Sequence, residues 1–170
     1  MIARLTTLCF ALTALPAMAD FQVRFNESAP KDSFTVTRLG TCATDTFEMT
    51  VDLADSAGKL VFDTTATGAG VEVFQPFQTA SGQIALVSGN DVRDGETNLT
   101  VRVKDLPVDQ FARFTIDVDD TLVQSELGQI RVSGSEIAGA TVTISHDQNK
   151  MTGTFDARGL VMLKSQDCMG

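Results

Sequence analysis

The chain of 170 residues contains no tryptophan and no tyrosine. That absence bears on two classes of β protein. Outer-membrane barrels carry aromatic girdles at both membrane interfaces. Sugar-binding sandwiches usually offer flat Trp or Tyr faces to their ligand. Phenylalanine is the only aromatic residue here, so neither platform is built in its usual form. Histidine is nearly absent as well, since His146 stands alone. A Ser–His–Asp site would have to be assembled around it, and no G-x-S-x-G elbow occurs. Cysteine is scarce, with three residues and no C-x-x-C pair, which leaves zinc and dithiol chemistry without a ligand framework. Basic residues are in deficit: 13 Lys and Arg face 22 Asp and Glu, a formal net charge of −9. Phosphate recognition needs clustered Lys and Arg, so nucleic acid and anionic lipid make poor partners. The same charge attracts cations.

Only one long apolar run is present, and it lies at the start. Arg4 is the single charge in residues 1–19, an apolar stretch follows at 5–15, and "PAMA" closes it at 16–19. Ala17 and Ala19 flank Met18 in the A-x-A pattern of a signal-peptidase site. The run is shorter than the roughly 20 apolar residues that span a bilayer. We therefore expect a signal peptide over 1–19, cleavage before Asp20, and export to the periplasm, the cell surface or the medium. Residues 20–170 are expected to form one domain without a membrane span. Cys9 leaves with the signal peptide. Cys42 and Cys168 remain, and in an oxidising compartment such a pair usually closes. A Cys42–Cys168 disulfide would stabilise the fold by roughly 4–5 kcal/mol in the chain-entropy account. Asn26 and Asn98 open N-glycosylation sequons, which matter only in a eukaryotic secretory pathway.

Beyond the leader the hydrophobic period is two, not 3.6. "FQVRF" (21–25), "FTVTRL" (34–39), "FEMTVDL" (47–53), "LTVRV" (99–103), "FTIDV" (114–118) and "ATVTIS" (140–145) alternate cleanly. Shorter runs of the same kind are "LVFD" (60–63), "VEVF" (71–74), "IALVS" (84–88), "IRV" (130–132), "MTGTF" (151–155) and "LVML" (160–163). Val, Ile, Thr and Phe dominate them, as half-buried pleated surfaces prefer. Turn signals such as "DSAGK", "ATGAG", "RDGE" and "DARG" separate them at the spacing of sandwiches and barrels. One face of each run is wet, with Thr, Asp, Glu, Arg and Ser. This favours a soluble all-β, two-sheet antiparallel β-sandwich over a membrane barrel, with most phenylalanines between the sheets. "LPVDQFARF" (106–114) reads as a connection.

"FTIDVDDTL" (114–122) carries the candidate site. Asp117 and Asp119 share a strand face, about 6.5–7 Å apart along the chain, and Asp120 follows at the turn. Three carboxylates held together repel one another, and a hard divalent cation relieves that. Ca²⁺ takes six to eight oxygen ligands at about 2.3–2.6 Å. Asp117, Asp119 and Asp120 would supply part of the shell. Asp91, Asp94 and Glu96 of "NDVRDGE", or Asp52 and Asp55 of "DLADSAG", are candidates for the remainder. The plainer alternative is a solvated acidic strand end. Catalysis has weaker support. A glycosidase-like hydrolase needs two carboxylates facing each other across a cleft, and nothing in the sequence selects such a pair. "VFQPFQ" (73–78) offers Phe74 and Phe77 as exposed ligand faces, or as core residues beside Pro76; the core is the usual place for Phe.

"GAGVEVFQPF" (68–77), "FTIDVDDT" (114–121) and "VSGSEIAGATVTI" (132–144) resemble segments of small exported alphaproteobacterial proteins of the aggregation factor core type. The last two, with "MTGTF" (151–155), also resemble the C-terminal half of jelly-roll, carbohydrate-module-like domains of bacterial surface proteins. The resemblance implies an exported jelly-roll-like sandwich and cation-assisted adhesion at the cell surface. The lack of Trp and Tyr departs from the sugar-binding members. The expectation is a non-enzymatic binding or adhesion protein with a structural Ca²⁺. Its partner would be a cell-surface component or another copy of itself, and "TLVQSELGQ" (121–129) is the candidate contact loop. A hydrolase with a carboxylate pair and a purely structural periplasmic or surface component are the alternatives.

Overall fold

Alternating side chains build strands throughout the computed structural model, which describes residues 20–28, 31–41, 44–68, 70, 74–87, 91–125, 127–128 and 131–165. Along the chain run β1 (Phe21–Asn26), β2 (Asp32–Arg38), β3 (Phe47–Asp52), β4 (Val61–Asp63), β5 (Gln78–Ser81), β6 (Gln83–Leu86), β7 (Asn98–Lys104), β8 (Phe111–Asp119), β9 (Thr141–His146), β10 (Asn149–Thr154) and β11 (Leu160–Leu163). No helix occurs among the described residues. One sheet has the order β11-β1-β2-β8-β4, with β5 also paired to β8; the other has the order β10-β9-β3-β7-β6. The strand pairs are antiparallel, and the two sheets pack face to face as a β-sandwich.

The layer between the sheets explains the period. Phe21, Val23 and Phe25 of β1 are buried while the residues between them are half-exposed. Ala112, Phe114, Ile116 and Val118 of β8 are buried from the same sheet, and Phe47, Met49 and Val51 of β3 answer from the other. Phe21 and Phe47 meet across the interface with ring centroids 4.7 Å apart. Phe34 stacks on Phe114 at 5.2 Å and also touches Phe25 and Phe155. Among the described residues, seven phenylalanines are buried. At roughly 1.5–3 kcal/mol for each fully buried large apolar side chain, they form the main adhesive of the fold. The outer faces are polar. Thr50 bonds Thr100 at 2.8 Å, Thr143 bonds Thr152 at 2.9 Å, and Arg102 pairs with Glu48 at 2.6 Å.

Three details depart from the sequence pattern. β8 starts at Phe111, before the alternation is plain, because β2 pairs along it from Thr37 opposite Phe111 to Asp32 opposite Ile116. β5 has no apolar residue larger than alanine, and it is a strand because it pairs with the edge of β8. Arg131 and Val132 belong to no strand, although Val132 is buried. Phe77 is half-buried against Phe114 at 5.2 Å, which makes it a core-flanking residue. The expected signal peptide, Cys42, Cys168 and residues 71–73 of "VEVF" lie outside the described residues. Among the described residues, no helix is long and apolar enough to cross a membrane.

Candidate metal centre

The acidic face of β8 is covered by its own neighbours. Phe114, Ile116 and Val118 point into the core, so Thr115, Asp117 and Asp119 point to the other face of the sheet. That face would ordinarily be wet. Yet Asp117 is only 5% exposed and Asp119 only 1% exposed. The cause lies at the sheet edge. β5 pairs with β8 over Arg113 to Thr115, and β4 pairs with it over Asp117 to Asp119. Both run antiparallel to β8 along one edge, so the chain leaves that edge after Asp63 and returns to it at Gln78. At the break, the Asp117 N–H donates to Gln75 O at 3.0 Å. The connection also brings Gly70 against the acidic face. A Cβ at position 70 would overlap Asp63 Oδ2, Asp63 Cγ and Asp119 Oδ2.

β4 contributes the third acid. Asp63 stands directly opposite Asp117 in the register, and Val61 stands opposite Asp119. Opposite residues of an antiparallel pair share a face, so Asp63, Asp117 and Asp119 converge. One ligand oxygen from each lies within 4.8 Å of the others. That span suits a single ion contacted at about 2.4 Å. Asp63 is 0% exposed, and neither of its carboxylate oxygens receives a hydrogen bond. A buried charge in that position is costly unless something positive faces it.

The titration behaviour follows from this crowding. Burial pushes the Asp63 carboxyl up to about 7, and the neighbouring Asp94 and Asp119 carboxylates push the same way. Burial also raises Asp117 to about 7, with the Asp119 charge adding to it and the Val118 amide opposing. Asp32, at the start of β2, is raised to about 8 chiefly by burial, with a smaller push from Asp117. Its two oxygens are nonetheless bonded: Oδ1 accepts from Ser28 N–H and Oδ2 from Val118 N–H, both at 3.1 Å. Asp32 thus continues the β2–β8 ladder past the end of β2 with its side chain.

Asp117 and Asp119 stand together as the alternation places them. Asp120 does not join their group. It follows the end of β8, and its Oδ1 accepts from Leu122 N–H at 3.0 Å, bracing the next turn. Asp63 was not foreseen as a partner. Its strand, "LVFD", was legible, but the strand lying beside it was not. Of the loop acids, Asp94 acts on the cluster through Asp63. Glu96 faces Arg93, and Asp52 accepts from Ala54 N–H. His146 ends β9 and lies 3.1 Å from Asp147 at an exposed hairpin. Compared with protein-family models and with curated proteins, the sequence matches none of them.

Proposed function

We propose that the protein is an exported, non-enzymatic β-sandwich that binds Ca²⁺ through Asp63, Asp117 and Asp119 and presents the loop after them as a contact surface. One observation carries this reading: the fully buried Asp63 carboxylate meets other carboxylates and no donor. A hard divalent cation is the partner that satisfies three such groups at once. The three acids converge on one face, with Gly70 against Asp63 and Asp119, rather than standing opposed across an open cleft, which favours holding an ion over hydrolysis by a carboxylate pair. The following loop supports the contact role. Val123 is fully exposed and Leu127 is 46% exposed, and Asp120 anchors the start of that loop. Its partner would be a cell-surface component or a second copy of the chain.

Export and the disulfide belong to the same reading. Asp20, the first residue after the proposed cleavage, is tied in by its backbone: its N–H donates to Leu163 O and its carbonyl accepts from Leu39 and Gly40. Its carboxylate accepts from Ser165 N–H at 2.5 Å. Gly40 and Ser165 therefore meet the same residue. In sequence, Cys42 and Cys168 follow them by two and three positions, which supports proposing a Cys42–Cys168 bridge in an oxidising compartment.

Calorimetric titration of the purified mature protein with Ca²⁺ tests the central claim. Binding with one equivalent is expected, and the extracellular range of about 10⁻⁴–10⁻³ M is sufficient affinity for an exported module. Gly70→Ala fills the cradle with a methyl group and should abolish the binding heat while leaving the strand spectrum intact. A wild-type protein that shows neither binding heat nor a calcium-dependent melt would end the cation reading.

A further inference from the structure

The connection between β4 and β5 takes part in two features at once. Gly70 lies over the carboxylates. Thr64, Thr65, Pro76 and Phe77, near its two ends, form one wall of an adjoining cavity of about 500 Å³. The other wall is the turn from Asp91 to Asp94. One side chain belongs to both features. Asp94 lines the cavity, and its Oδ1 accepts from the Thr64 N–H at 2.8 Å and the Thr65 N–H at 3.2 Å. These are the two residues that follow Asp63. The turn is pinned to β4 as well: Gly95 N–H donates to Phe62 O, and Phe62 N–H donates to Glu96 O, both at 2.9 Å. Gly68 closes on the same carboxylate so tightly that a Cβ there would overlap Asp94 Oδ2.

We propose that Asp94 is a fourth carboxylate of the cation site, and that the ion clasps the 91–96 turn to the β4–β5 connection, so that cation occupancy sets the shape of the cavity between them. The inference rests on the cation reading of Asp63, Asp117 and Asp119. That cluster is marked as a ligand site by Asp63, fully buried with no donor on either oxygen. Three aspartates fill at most part of a six-to-eight-oxygen shell. A carboxylate can serve backbone amides through one oxygen and a metal through the other. Asp94 is placed to do so, because the amides that hold it belong to the residues next to Asp63. Without the ion, like charges push the turn away from β4; with it, the same charges draw the turn in.

Amide hydrogen exchange reads this directly. Thr64, Thr65 and Gly95 carry the amides whose bonds close the clasp. Adding Ca²⁺ to the mature protein should slow their exchange about tenfold or more, the mark of a suppressed local opening. The β9–β10 hairpin, far from the site in the other sheet, should change little. Asp94→Asn should weaken Ca²⁺ binding about tenfold in calorimetry, given the loss of one anionic ligand. Should that variant not fold, the exchange comparison on the wild type carries the test alone. If the wild type binds Ca²⁺ while Thr64, Thr65 and Gly95 exchange at unchanged rates, the clasp is refuted and the three-aspartate site stands. If the wild type binds no Ca²⁺ at all, both fall together.

Discussion

Replacing Asp63 with asparagine should change stability in opposite directions with and without calcium. The ligand oxygens of Asp63, Asp117 and Asp119 lie within 4.8 Å of one another. Two unit charges at that separation repel by about 3 kcal/mol at an effective dielectric constant near 20. Asp63→Asn removes two of the three repulsive pairs, and its amide can donate to the carboxylates that remain. Relaxation and partial protonation absorb some of this, so a net gain of about 2 kcal/mol is expected in EDTA at pH 8. For a domain of this length that is a rise of about 4–8 °C in Tm. Calcium reverses the order. At a thousand times its Kd, a ligand that binds only the folded state adds about 4 kcal/mol, which the wild type gains and the variant largely loses. Scanning calorimetry of both proteins, in EDTA and in calcium, gives the four numbers. An asparagine variant that melts lower than wild type in EDTA at pH 8, or that gains as much from calcium, would refute the account of Asp63 as an uncompensated charge awaiting an ion.

In EDTA the wild type should grow less stable as pH rises from about 4 to 8. Asp63 and Asp117 titrate near 7 and Asp32 near 8 when folded, against 3.8 for the ordinary side chain. The folded state therefore holds more protons than the unfolded one across that window, so the stability they add is present below about pH 4 and is lost as pH passes 7–8. Saturating calcium should flatten the part due to Asp63 and Asp117, and chemical denaturation at pH 5 and pH 8 with and without the ion measures this. Phe34→Ala should cost about 3–5 kcal/mol, because Phe34 touches three other rings at the centre of one sheet. Urea unfolding gives the value, and a loss under 1 kcal/mol would contradict the packing described for that sheet.

The sandwich was legible because its signal is local. Phe21, Val23 and Phe25, or Phe47, Met49 and Val51, show their burial through the residues between them, and no knowledge of partners is needed. β5 was hidden for the converse reason. "QTAS" has no apolar face and becomes a strand only because β8 offers an edge. The same distinction divides the site. Asp117 and Asp119 share a face by the period of one strand, so the sequence displays them. Asp63 reaches them through a pairing between β4 and β8, more than fifty positions apart, and Asp94 comes beside Asp63 because its carboxylate accepts from the Thr64 and Thr65 N–H groups while Gly95 and Glu96 bond Phe62. Asp120 follows the end of β8, where the strand period no longer fixes its direction, and its carboxylate braces the next turn through Leu122 N–H.

The interruption of the β8 edge is the strongest physical argument for an ion. An ordinary edge would continue from β4 into β5 and leave the outer face of β8 in water, where Asp117 and Asp119 would cost nothing. Here the chain departs after Asp63, packs Gly70 against the Asp63 and Asp119 carboxylates, and returns at Gln78 to the same edge. The detour orders extra backbone, at about 1–2 kcal/mol per residue, and it strips water from three like charges. A structure that accepted both costs with nothing in return would be less stable than one with threonine at each position. A bound divalent cation changes the balance: it needs anionic oxygens gathered on one side, little water, and a close-fitting cover without a side chain. The Asp63, Asp117 and Asp119 cluster, with Gly70 packed against Asp63 and Asp119, meets those three requirements together. Threonine at all three positions is then the telling replacement, because it should stabilise the metal-free protein and leave calcium without any effect on its melting.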